Sequence, residues 1–169
     1  MYQASVPTFV QILTALSGVL DKAQAFSAAK KCDPAVLLAA RLAPNMFALT
    51  QQVQIACDFA KGATARLAGA DVPSWPDHEK TFAELQQRIK KTTDFVQTFK
   101  PAQIDGSEER DVKLSVGGQP VTFKGQPYLI QFVLPNFYFH ATTAYAILRH
   151  NGVELGKRDF VGAVPGMGS

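Results

Sequence analysis

Apolar residues recur at steps of three and four along four stretches of the chain, and the recurrence lapses between Pro101 and Gly125. The first stretch sets Val6, Phe9, Val10, Leu13, Leu16, Leu20 and Ala23 on one stripe, which predicts a helix over residues 5–30. Ser5 is placed to cap it, and Pro7 falls in the first turn, where a missing N–H costs nothing. A second stripe runs through Leu42, Met46, Leu49, Val53, Ala56, Ala60, Ala63 and Leu67. It predicts one long helix, opened by Asp33 and Pro34 in "CDPAVLL" and closed by Gly69, with spacing suited to shallow-angle packing. The third helix is expected over residues 76–99, with Phe82, Leu85, Ile89, Val96 and Phe99 inside and Arg88, Lys90 and Lys91 largely outside. Trp75, in the loop before it, is expected to cover one end of the core.

The lapse has a different period. "VKLSVGGQPVTFKG" alternates on either side of Gly117-Gly118, which predicts a β-hairpin too small to stand without support. A fourth helix begins between Gln126 and Pro135 and ends at His150, where "HNG" supplies a stop signal. The tail "GKRDFVGAVPGMGS" carries no helical pattern, with Phe160 as its one anchor. These elements spell a single all-α domain over residues 1–169, a four-helix bundle with a small β-hairpin between helices three and four.

Composition narrows the partners. The 169 residues are 47% hydrophobic and 18% charged, as in an ordinary globular domain. A net charge of +3, dispersed and without a basic stripe carrying aromatics, argues against nucleic acid. The apolar N-terminus lacks the basic start of a secretory signal, and the stretch from Tyr128 to Leu148 is broken by Gln131, Pro135, Asn136 and His140. Neither suits a membrane span, so a cytoplasmic protein is expected. Cys32 and Cys57 lie at the two ends of about 37 Å of the second expected helix, too far apart for a disulfide. Cys57 reads as a small core residue.

The candidate chemistry lies in "VLPNFYFHATTAYAILRHNG". Asn136 and His140 are four residues apart and share a helix face. Two histidines at that spacing would make a metal clamp, but here one is an amide. "LAPNMF" in the second helix repeats the Pro-Asn step. A proline inside a helix frees the carbonyl four residues back, so Pro44 and Pro135 would release those of Ala40 and Gln131. Asn45, Asn136 and His140 could then form a polar niche in an apolar core. A satisfied Asn–His core pair and a ligand pocket are both consistent with this pattern. In the pocket reading, Met46, Phe137, Tyr138 and Tyr145 line the space around His140.

"PNFYFHATTAYAILRHNGVELGKRDFVG", with "ARLAPNMFALTQQVQIACDFAKGATARLAG" upstream, resembles an uncharacterised bacterial family grouped with the DinB/YfiT-like four-helix-bundle metalloenzymes. Characterised members of that superfamily resemble thiol-dependent transferases and isomerases. Their metal is held by one histidine on the second helix and an HxxxH pair on the last. The resemblance maps the last-helix pair onto Asn136 and His140, and the second-helix ligand near Asn45. One imidazole with two amides is a poor donor set, so no metal is expected and the cofactor is unknown. Three functions follow: a bundle binding a small organic ligand around His140, a DinB-like S-transferase or isomerase with His140 as base or sole imidazole ligand, or a structural homodimer.

Overall fold

The computed structural model describes residues 1–164 and 166. The chain is mostly helical, with one two-stranded antiparallel sheet. Its long helices are α1 (Tyr2–Lys30), α3 (Leu49–Ala68), α4 (Phe82–Gln97) and α7 (Leu134–His150). Between them stand α2 (Pro34–Ala39), α5 (Pro101–Ile104), β1 (Asp111–Val116), β2 (Gln119–Lys124) and α6 (Gly125–Pro127). A π-helical turn (Tyr128–Val133) leads into α7, and α8 (Lys157–Val161) follows it. The helices are thus more numerous than the four expected. Packing joins α3 to α7 and α4, and α1 to α4, α3, α7 and α8. Phe9, Leu13, Leu20, Leu49, Val53, Leu85, Phe137, Ala141 and Leu148 are buried among these contacts. By length and composition α1 could cross a membrane, yet half of its most apolar window is buried inside the fold.

The second expected helix is two helices. Asp33 caps α2 as anticipated, its Oδ1 accepting from Ala35 N–H at 2.9 Å. The helix then stops at Ala39, and residues 40–48 form a loop. Pro44 explains the break, because a helix through it would strand the carbonyl of Ala40. In the fold that carbonyl accepts from Leu49 N–H at 3.0 Å, across the loop. Arg41 ties the loop down by donating to the Met46 carbonyl at 2.6 Å. Leu42 continued the stripe only by coincidence of spacing; it is exposed.

The third helix starts six residues later than expected, at Phe82 rather than Pro76. Thr81 accepts from Glu84 N–H, and the Glu84 carboxylate returns to Thr81 N–H, a capping box written as "TFAE". Arg88 is corrected from surface to interior, being 3% exposed. The tail is also corrected: α8 forms one turn whose Asp159 accepts from Gly156 N–H at 2.9 Å. Phe160 does anchor it, 5.9 Å from the Tyr145 ring. The last tail residues, Pro165 and Met167 to Ser169, lie outside the described residues.

The hairpin forms where the glycines placed it. Gly117 and Gly118 take φ of 57° and 79°, and Val116 pairs with Gln119 across the turn. It leans on the helices through Val112, Leu114 and Phe123. Gly125 ends it against the backbone of Ser107, so close that a Cβ there would overlap the Ser107 carbonyl. Only glycine fits at that crossing. The π-helical turn then leads to Pro135: Leu134 N–H bonds to Leu129 O, five residues back. Pro135 is therefore preceded by a locally widened helix, a device frequent near functional sites.

A candidate ligand site around a tautomer-fixed histidine

His140 sits on the side of α7 that faces α3 and is 8% exposed. Its Nδ1 lies 2.7 Å from Oε1 of Gln52, one turn into α3. The amide of Gln52 is itself oriented, because its Nε2 donates to the Phe47 carbonyl at 3.1 Å. With Nε2 committed to a carbonyl, Oε1 must face the imidazole, so Nδ1 carries the proton and Nε2 keeps a lone pair. Among the described residues the fully buried side-chain polar atoms without a partner are Arg88 Nε and Ser107 Oγ. His140 Nε2 has no protein partner either, so it keeps an edge open to the surface. The ring is held between two aromatics: Phe59 stacks on it at 5.9 Å, and Phe139 meets it edge-on at 5.2 Å.

Burial holds the His140 pKa below its ordinary value of 6.5. A histidine whose folded pKa is depressed contributes stability that is complete above the unfolded pKa and is lost as pH falls through the folded one. Between pH 7.5 and 5, the wild-type protein should therefore lose more stability than His140→Gln. Urea midpoints at the two pH values measure it, and equal losses would remove the buried neutral imidazole.

Two clefts are bordered by the rings that pack on this histidine, although His140 itself lines neither. One, of about 210 Å³, is walled by Phe59, Phe132, Tyr128, Arg66, Asp58 and Leu114. The other, of about 370 Å³, is bounded by Leu42, Tyr138, Phe139 and Thr143. His140 stands behind Phe59 on one side and Phe139 on the other. α3 furnishes most of the first cleft, and the π-helical turn and β1 close it, with Phe132 stacked on Phe123 at 5.2 Å and on Tyr128 at 6.0 Å. Burial raises the Tyr128 pKa, so its phenol stays protonated at neutral pH.

The other sequence candidates are scattered. Asn45 is exposed on the 40–48 loop, and the partner it was expected to be for His140 is Gln52 instead. Met46 is half-buried in the same loop, held by its backbone. Asn136 donates to the Phe132 carbonyl at 2.7 Å, satisfying the helix rather than the imidazole. Phe137 is core, edge-on to Phe9 at 5.0 Å. Tyr138 is exposed on the outer cleft, and Tyr145 packs away from His140 against α8, its hydroxyl donating to Leu155 O at 3.4 Å. Gln52, Phe59, Arg66 and Phe132 were missed. Gln52 had one available signal: it precedes Val53, at the edge of the second stripe.

These donors do not fit a first-row transition metal. His140 supplies the one imidazole, its Nδ1 proton is engaged by an amide, and Asn136 is turned to the backbone. Among the described residues no three His, Cys, Asp or Glu side chains converge to hold an ion. Both cysteines are free; Cys57 is wholly buried, and desolvation pushes its thiol up to about 12, so it is no thiolate at neutral pH.

Residues 1–161 match the family described as a domain of unknown function, DUF1993. The chain is also similar to a crystal structure of a DinB family member protein from Shewanella denitrificans. The two share 43% identity with a TM-score of 0.89, over 99% of this chain and 95% of that one. No curated protein matches the chain.

Proposed function

The chain belongs to the DUF1993 family, and from that premise we propose that it is a DinB-like four-helix bundle that binds a small organic ligand beside His140. The observation that carries this reading is the chain from the Phe47 carbonyl through Gln52 to His140. It spends three polar groups on fixing one tautomer, and it leaves Nε2 partnerless between aromatic walls. The fold pairs Nδ1 and leaves Nε2 to whatever enters from the surface. Nε2 in this state accepts a hydrogen bond from a ligand O–H, N–H or S–H, while Phe59 offers a ring to an apolar body.

A second reading is the thiol-dependent transferase or isomerase chemistry of DinB-like proteins. It is favoured by the same lone pair, because a neutral imidazole can take the proton of a bound thiol. In the metal- and thiol-dependent form of this reading, His140 would be the sole imidazole ligand and the remaining ligands would come from substrate, water or a partner chain. A homodimer is the third reading, supported by exposed Phe139, Tyr138 and Leu42 around one shallow cleft. Sedimentation of wild type against Phe139→Ser separates it from the other two.

The ligand reading is tested with a library of small aromatic and aliphatic compounds, following the NMR signals of the His140 and Phe59 rings. Compounds that bind are expected to move both rings, and to lose at least tenfold in affinity in Phe59→Ala, which removes the stacking wall. A library that moves neither ring would contradict it.

A further inference from the structure

We propose that the cleft between α3, the π-helical turn and β1 takes an organic carboxylate, with Arg66 seating the carboxylate and Phe59 and Phe132 holding the apolar body. The proposal rests on the ligand reading above and names the chemical class.

Arg66 is a half-buried cation on the cleft wall, and no carboxylate of the described residues pairs with it. Its Nη1 donates to the Tyr128 hydroxyl at 3.1 Å, which leaves the rest of the planar fork unused. Asp58 borders the same cleft but is already bound to Lys61 Nζ at 2.7 Å and Arg88 Nη2 at 2.9 Å, so its charge is compensated. The free charge of the site is therefore positive.

The guanidinium is also seated. Gly62 lies one turn back on α3, and a Cβ there would stand 2.5 Å from Arg66 Nη1. The nearest atoms to that point beyond the local backbone are those of the Arg66 guanidinium, so the missing side chain makes room for it. Glycine inside a helix is less favourable than alanine. Here that cost coincides with a cation laid against its own helix and oriented by a tyrosine. A planar fork with free donors is matched to a carboxylate, which it can bind through two parallel hydrogen bonds.

The remaining walls set the body. Phe59, Phe132 and Leu114 are apolar, and the cleft measures about 210 Å³. A dry cavity of roughly 150 Å³ is enough to hold benzene, so one aromatic ring with a short acid arm is of the right size. The ring would lie against Phe59, which also stacks on His140.

The test compares phenylacetate with its neutral isostere phenylacetamide by NMR titration at low ionic strength, on wild type, Arg66→Gln and Gly62→Ala. In wild type the acid should bind about tenfold or more tightly than the amide, moving Tyr128 and Phe132. That preference should vanish in Arg66→Gln. In Gly62→Ala it should weaken while thermal stability is kept or raised, which separates displacement of the guanidinium from damage to the fold. Equal binding of acid and amide in wild type, or an acid preference that survives in Arg66→Gln, overturns the carboxylate assignment and leaves the ligand reading standing. Failure of the acid to bind while other compounds of the library move the His140 and Phe59 rings overturns the carboxylate assignment alone; failure of the library as well overturns both.

Discussion

Arg88→Met should lower the unfolding free energy by about 3 kcal/mol, the low end of what removing one partner of a buried ion pair costs. Arg88 is the hub of a cluster on α4: its guanidinium meets Asp58 at 2.9 Å, Asp77 at 3.0 Å and Glu79 at 3.1 Å. It also donates to the Pro76 carbonyl at 3.2 Å, and so pins the 70–81 loop to α3 and α4. Glu79 accepts a further hydrogen bond from Gln54 at 2.8 Å. Despite desolvation, which alone would raise its pKa, the Gln54 and Arg88 contacts hold Glu79 below the usual carboxylate range. Without the guanidinium, three carboxylates face one another, and Asp58 keeps only Lys61. Partial exposure of Asp58 and Asp77 limits the loss, since water can solvate them. Trp75 should loosen as well, because Arg88, Lys61 and Lys91 all lie over its ring. Chemical denaturation followed by tryptophan fluorescence measures both effects. A loss under about 1 kcal/mol would mean that the cluster is a solvated surface network.

Phe137→Ala should cost about 4 kcal/mol, within the range for emptying a fully buried phenylalanine site. Phe137 is wholly buried on α7 and meets Phe9 of α1 edge-on at 5.0 Å. The cavity left would face two long helices that cannot both close on it. Ligand affinity beside His140 should change little, because Phe137 packs on Phe9 of α1 whereas His140 is held by Gln52 of α3. Urea unfolding and a titration with one bound compound give the pair of numbers. A small stability loss with a large affinity loss would return Phe137 to the pocket where its sequence neighbours placed it.

That reassignment shows what the sequence could carry. Phe137, Ala141, Ala144 and Leu148 form a core stripe that periodicity alone marks. Proximity to His140 in the chain suggested a pocket role that periodicity did not support. The hairpin was legible because two adjacent glycines with positive φ leave little else for the backbone to do there. The 40–48 loop was hidden by accident: Leu42 and Met46 extend the apolar spacing of α3, and only Pro44 spoke against it. Arg88 was hidden for a different reason. Its acidic partners Asp77 and Glu79 come from an aperiodic loop, so a helix pattern cannot show that they cover it. Gln52 is the instructive miss. The match of "APNMF" with "LPNFYF" drew attention to Asn45, whereas the true partner sits seven residues on, where α3 is regular and packed on α7.

Ligand binding beside His140 turns on which of its nitrogens carries the proton. Long-range proton–nitrogen correlation of the imidazole at pH 7.5 reads this directly. The expected spectrum shows Nδ1 protonated and Nε2 with a lone pair, a neutral ring that takes up its second proton only below pH 6.5, and loss of the single tautomer in Gln52→Leu. A ring protonated at Nε2, or one unchanged by Gln52→Leu, would contradict it.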